Sequence, residues 1–235
     1  MTNPDISLVI PLYNEVDNIE PLGNSIISAM QGQSYEVVFV NDGSTDGSTE
    51  RLKEWCALHP NFRTLNFRKN AGQTAAMEAG FKHAVGKYVV SMDADMQNDP
   101  ADIPKLLEKL NGYDMVCGWR QKRNDPWIKR ISSKVANNIR NRLSDEDIRD
   151  TGCSLKAYRR ECLDHIKLYN GMHRFLPTLF KMEGFTVAEI VVNHRPRKFG
   201  KSKYGISNRA FRAFVDLLVV RWMKKRKLKY EVENE

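Results

Sequence analysis

No stretch of the chain approaches the roughly 20 consecutive apolar residues of a membrane-spanning helix, so it is expected not to cross a bilayer. Met1 to Asp5 is polar, and Ile6 to Leu12 is too short for the apolar region of a secretory leader, so no signal peptide is expected. Cysteine is scarce: Cys56, Cys117, Cys153 and Cys162 lack metal-site spacing, and reduced thiols in a cytoplasmic setting follow. Helix-turn-helix, RNP and zinc patterns are also missing, which argues against nucleic acid as a partner. Positive charge, by contrast, is plentiful. With 37 Lys and Arg against 29 Asp and Glu, the formal charge of +8 favours anionic partners such as nucleotides, phospholipid head groups or nucleic acid, without choosing among them. A length of 235 residues suits one large α/β domain, with two small ones as the alternative.

The chain is organised around Tyr88-Val89-Val90-Ser91-Met92-Asp93-Ala94-Asp95-Met96-Gln97, an apolar run that ends in two carboxylates and a carboxamide. It reads as a buried strand delivering oxygen ligands to the carboxyl edge of a sheet, where open α/β sheets bind ligands. Asp93, Asp95 and Gln97 stand at i, i+2 and i+4, which in an extended segment turns all three the same way. Oxygen ligands of this kind suit Mg2+ or Mn2+ shared with a diphosphate. By itself, Asp-x-Asp is a weak signal, since acidic pairs also sit on solvated loops.

The surroundings repeat a strand, turn, helix pattern. Ile6 to Pro11 is a strand, followed by a helix from about Asp17 to Met30. Glu36 to Val40 is a second strand that runs into the turn Asn41-Asp42-Gly43-Ser44-Thr45-Asp46-Gly47-Ser48 and a helix near Thr49 to Leu58. Phe62 to Phe67, a helix from Ala71 to Ala84, the central strand, and a helix opened by Pro100 come next. The pattern predicts a Rossmann-like, mostly parallel sheet with helices on both faces. The strand ends then bring Pro11, Tyr13, Glu15 and Asp42 close to Asp93 and Asp95. Asp42 suits the N-H groups of a nucleobase, with Tyr13 as a flat surface beside it; alternatively, Asp42 to Asp46 is simply an Asx-rich turn.

Pro11-Leu12-Tyr13-Asn14-Glu15, Val40-Asn41-Asp42-Gly43-Ser44-Thr45-Asp46-Gly47, Asn70-Ala71-Gly72 and Met92 to Gln97 together resemble the family 2 inverting glycosyltransferases of GT-A fold. The likeness is closer to the dolichyl-phosphate mannose synthase and polyprenyl-phosphate branch, and covers about residues 6 to 205. Such enzymes move a sugar from a nucleotide donor to a polyprenyl (dolichyl or undecaprenyl) phosphate. The resemblance implies nucleotide contacts from Pro11, Tyr13, Glu15, Val40, Asp42 and Ala94, and metal contacts from Asp93, Asp95 and Gln97. It makes Asp93, Asp95 and Arg120 the catalytic candidates.

Further along, Tyr113 to Gly118 reads as a strand, and a basic helix from about Pro126 to Leu143 follows. Lys129, Arg130 and Ser133 resemble the positions that hold the acceptor phosphate, although arginine is commoner where Lys129 stands. His173-Arg174-Phe175 brings another cation towards the centre. Arg197 and Lys203 resemble the arginine and lysine, six apart, of a flexible loop over the donor diphosphate. Asp150 lies where relatives that glycosylate hydroxyls carry a general base. A lipid phosphate is already anionic near neutral pH and needs no such base, which favours a structural Asp150.

A boundary at 205/206 is expected, separating the transferase domain from a C-terminal amphipathic helix and tail. Phe211, Phe214, Val215, Leu218, Val219 and Trp222 recur at helical spacing, and Lys224-Lys225-Arg226-Lys227 follows. That suits a helix on an anionic bilayer at its cytoplasmic face, or one packed on the domain or a partner subunit. The expected activity is metal-dependent inverting transfer from a UDP or GDP sugar to a polyprenyl phosphate. The rivals are transfer to a saccharide or protein hydroxyl with Asp150 as base, and a non-catalytic basic nucleotide-binding protein. Sugar-nucleotide synthesis is disfavoured because no Gly-rich, Arg-containing loop follows the first strand.

Overall fold

A computed structural model describes residues 3–121, 148–197 and 206–228. Four of the seven strands are the expected ones of the first half: β1 (Ile6–Leu12), β2 (Tyr35–Asn41), β3 (Phe62–Asn66) and β4 (Tyr88–Ser91). β5 (Met115–Trp119), β6 (Lys156–Arg159) and β7 (Val187–Val191) complete one sheet in the order β3-β2-β1-β4-β6-β5-β7. All neighbours pair in parallel except β6, which runs against both β4 and β5. The sheet is therefore mostly parallel, as expected.

Helices cover both faces, which is why β1 is apolar apart from Ser7, itself buried and donating to Glu36. Leu8, Ile10 and Leu12 pack with Ile19, Leu22 and Ile26 of α1 (Ile19–Ala29), Leu52 of α2 (Ser48–Leu58), and Ile103 and Leu106 of α4 (Ile103–Leu110). Val9, Val38 and Val40 face the other way, towards Ala76 and Met77 of α3 (Gln73–His83). Close approach there requires Gly80, because a Cβ would overlap Val9 Cγ1 and lie 3.2 Å from Val40 Cγ2.

The helix Ile206–Arg226 joins this second layer through buried Leu217 and Val220, while Val215, Leu218, Val219 and Trp222 remain exposed. The apolar positions of this helix thus divide between two faces. None of the described helices is long and apolar enough to cross a membrane. The expected helix from Pro126 to Leu143, with Lys129, Arg130 and Ser133, lies outside the described residues, as does Lys203.

From β1 the chain winds outward to β3, then returns to place β4 on the other side of β1. Strand order reverses between β1 and β4, and the crevice at the carboxyl ends of these strands is where such sheets take ligands.

Candidate active site

Strand register sets the heights of the site's parts. Leu12 pairs with Asn41 and Asn41 with Asn66, so β1, β2 and β3 end level. β4 stops earlier, its last pair being Ser91 with Val9. The acidic segment therefore leaves the sheet before its neighbours do and folds over the edge. Met96 has φ 64°, and Gln97 N donates to Asp95 Oδ1 at 3.1 Å, so the segment past Ser91 is a bend and not the extended run that the i, i+2, i+4 spacing presumed. The Gln97 amide meets His194, 3.5 Å between Nε2 atoms.

The wall under β1 and β2 is built by its own turn residues. Asn14 takes φ 52° and accepts Thr45 N at 2.7 Å, while Asn14 N donates to Ser44 Oγ at 2.9 Å. Asp46 accepts Val16 N at 3.1 Å and Ser48 N at 3.0 Å. Asp42 is buried, and its carboxylate accepts Asn70 Nδ2 (2.9 Å), Ala71 N (2.6 Å) and Gly72 N (2.9 Å). With three of roughly four lone-pair positions taken, Asp42 pins the β3–α3 loop, a long-range contact and not a local Asx turn. Gly43 allows that loop to close in: it has φ 69°, and a Cβ there would stand 2.5 Å from the Lys69 carbonyl carbon. Val40 is fully buried against α3, so its side chain is core; Ala94 is buried too, while Pro11 and Tyr13 are half-buried at the edge.

The acids sit beyond this wall. Asp93 Oδ1 accepts Gln73 Nε2 at 2.9 Å, and Asp93 N donates to Asn98 Oδ1 at 3.1 Å. Burial, and next the Asp95 carboxylate, push Asp93 above the ordinary carboxylate range, against a Ser154 hydrogen bond and the charges of Lys156 and Arg120. Asp95 is paired with Arg197, Oδ2 to Nη2 2.6 Å, and Arg197 Nη1 stands 3.8 Å from Glu15 Oε1. The structure thus brings Glu15, Asp93, Asp95, Arg120 and Arg197 into one electrostatic neighbourhood.

Arg120 forms a fork on Asp150, with Nε at 2.8 Å from Oδ2 and Nη2 at 3.0 Å from Oδ1; Arg120 N donates to the same carboxylate at 3.2 Å. Burial works against the guanidinium charge, yet hydrogen bonding and attraction from Asp150 hold Arg120 above the ordinary arginine range. In the segment His173-Arg174-Phe175, His173 Nδ1 is 2.6 Å from Thr74 Oγ1 at the start of α3.

Several residues at the site escaped sequence reasoning. Lys156 is buried within β6, and its ammonium donates to the carbonyls of Thr151 and Cys153 while its charge acts on Asp93. A lysine inside the apolar run Leu155 to Tyr158 was the available signal. Gln73, Asn98 and Ser154 gave none, because they meet Asp93 only through the fold.

The residue pair fits a divalent cation in one respect: two carboxylates stand close together, Asp95 buried and Asp93 half-buried with its charge penalised. Among the described residues no third His, Cys, Asp or Glu joins them. Any cation would complete its shell with substrate oxygens or water, as Mg2+ commonly does.

Residues 7–167 match the glycosyl transferase family 2 domain. The chain belongs to that family. It is 38% identical over 224 residues to the dodecaprenyl-phosphate galacturonate synthase of Rhizobium johnstonii, covering 92% of this chain and 66% of the relative. To the undecaprenyl-phosphate 4-deoxy-4-formamido-L-arabinose transferase of Edwardsiella ictaluri it is 39% identical over 206 residues, 86% of this chain and 63% of the relative. The chain therefore spans just under two thirds of the length of these curated relatives.

Among solved structures, glucosyl-3-phosphoglycerate synthase from Mycobacterium tuberculosis, in complex with Mn2+, UDP and phosphoglyceric acid, superposes with TM-score 0.74 at 20% identity, covering 93% of this chain and 78% of that one. The mannosyltransferase from Pyrobaculum calidifontis, in complex with GDP-Man and Mn2+, gives 0.65 at 20% identity, with 98% and 67% covered. These likenesses establish the GT-A fold for this family 2 chain.

Proposed function

We propose that this family 2 chain is an inverting glycosyltransferase that moves a sugar from a UDP or GDP sugar to the phosphate of a polyprenyl lipid. The observation that carries the acceptor choice is the fork between Arg120 and Asp150. Both oxygens of Asp150, the carboxylate that the family resemblance would offer as a base on a hydroxyl, accept hydrogen bonds from the Arg120 guanidinium. A phosphate acceptor needs no base, so that engagement costs the reaction nothing. The two relatives named above, both polyprenyl-phosphate sugar transferases by name, support the same reading.

In this mechanism the donor lies along the carboxyl edge of β1, β2 and β4, its base near Tyr13 and Asp42. Asp93 and Asp95, with Gln97 beside them, would hold Mg2+ or Mn2+, which supplies charge stabilisation to the diphosphate leaving group. An acceptor phosphate oxygen attacks the anomeric carbon as the bond to the nucleotide diphosphate breaks, and one in-line displacement inverts the configuration. Arg120, Arg197 and Lys203 offset the charge that builds on the leaving nucleotide, while Lys129, Arg130 and Ser133 receive the acceptor phosphate. Residues 1–205 form the transferase unit in this reading, and residues 206–235 carry the bilayer contact. The exposed Val215, Leu218, Val219 and Trp222, with Lys225 and Arg226, lie on the cytoplasmic face of an anionic membrane that presents the acceptor.

The test is transfer of radiolabelled sugar from a panel of UDP and GDP sugars, with Mn2+, onto undecaprenyl phosphate and onto a saccharide pool. Chloroform-soluble label is expected, lost in excess EDTA and in Asp95→Ala. Label confined to the saccharide pool would move the acceptor to a hydroxyl.

A further inference from the structure

Arg197 holds the place that a divalent cation would need. Its Nη2 lies 2.6 Å from Asp95 Oδ2, and Asp95 Oδ1 already accepts the Gln97 N-H, so each oxygen of this carboxylate has a donor. A metal bound at roughly 2.0–2.2 Å and a guanidinium cannot share one carboxylate oxygen without strong mutual repulsion.

The contact is built and not incidental. The segment leading to Arg197 is fastened to residues 97–102 at several points: Asn193 N donates to Asp102 Oδ2 at 2.7 Å, His194 bridges Asn98, Arg195 N donates to Gln97 O at 2.9 Å, and the Arg195 guanidinium meets Asp99 at 2.6 Å. Two residues on, Arg197 is delivered against Asp95 with its side chain only 28% exposed. Arg120 forks onto Asp150, and Lys156 donates to backbone carbonyls.

We propose that Arg197 is a resident stand-in cation: it neutralises Asp95 in the nucleotide-free protein, yields that carboxylate to a divalent metal, and transfers its own charge to the incoming diphosphate. This rests on the metal role assigned to Asp95 above. The consequence is a thermodynamic linkage. Metal and nucleotide favour each other beyond their direct contact, because the diphosphate supplies the anion that Arg197 loses when metal takes Asp95.

The probe is Mn2+ binding, read from the electron paramagnetic resonance of the free ion, with and without UDP or GDP and with no sugar transfer involved. In Arg197→Ala, Mn2+ should bind nucleotide-free protein about tenfold more tightly than in wild type, or ~1.4 kcal/mol. The gain in Mn2+ affinity from adding nucleotide should shrink by a similar factor. Arg197→Lys retains a charge and should stay near wild type; Arg195→Ala, which removes a nearby charge from Asp99, should change Mn2+ affinity less than about twofold through screened solvent. Thermal melts establish that each variant is folded. Equal or weaker Mn2+ binding in folded Arg197→Ala, or an equal gain in Arg195→Ala, overturns the stand-in role while leaving the metal site standing. Failure of wild type and all variants to bind Mn2+ even with nucleotide sinks the metal role itself, and the inference with it.

Discussion

Replacing Asp150 by Asn separates a structural partner of Arg120 from a catalytic base. The Arg120 and Asp150 side chains are 14% and 8% exposed, and two parallel N-H to O contacts join them. Asn keeps one acceptor oxygen but removes the counter-charge and opposes a guanidinium N-H with an NH2 group. Breaking a buried ion pair by altering one partner costs about 3–5 kcal/mol, and the retained oxygen places this case near ~3 kcal/mol. For a domain of this size that lowers the melting temperature by ~6–12 °C. The assay pairs thermal denaturation with transfer to undecaprenyl phosphate at a temperature where the variant is fully folded. Arg120→Met combined with Asp150→Asn should be less destabilised than the sum of the single changes, since no buried charge is then left alone. Turnover of folded Asp150→Asn should stay within about tenfold of wild type, because general-base catalysis worth ~10²–10⁴ is not being removed. A melting temperature within ~2 °C of wild type would refute the ion-pair argument. A folded variant that has lost about a thousandfold would make Asp150 the base and the acceptor a hydroxyl.

Three further outcomes are expected. Gly80→Ala should destabilise by about 1–3 kcal/mol in denaturant titration, because α3 must move off Val9 and Val40; an unchanged midpoint would contradict the close packing. Burial of Glu36 opposes its charge, but hydrogen bonds from Arg63, Ser7 and Val85 N set its pKa below the ordinary 4.5, so its contribution is present above that pH and is lost as pH falls through the folded value. Glu36→Gln should therefore be less stable than wild type near neutrality, with the gap closing below about pH 4.5 in acid denaturation; a gap independent of pH would contradict the linkage. Leu218→Gln with Trp222→Gln should weaken co-sedimentation with vesicles containing anionic phospholipid, and equal binding to zwitterionic vesicles would remove the charge component.

Most of the first half was legible residue by residue. Strand and helix bounds up to Leu110 fall within a few residues of those expected, because covered strands are continuous apolar runs and turn residues punctuate them. The acidic bend was misjudged in geometry for a local reason: Met96 at positive φ is not a residue type that announces such a turn. Asp42 was legible as a strand-tip acid but not as the anchor of Asn70 to Gly72, since that partnership spans almost 30 residues and depends on β2 and β3 ending level.

By itself the sequence determined the periodic α/β layout and the identity of the acids at the strand ends, because burial on both faces of a parallel sheet dictates local pattern. Tertiary structure alone decided which charge meets which. Arg120 on Asp150, Arg197 on Asp95 and Lys156 near Asp93 join residues 30, 102 and 63 positions apart. Charge pairing depends on distance in space and on shielding from water, neither of which is written in the order of residues along the chain.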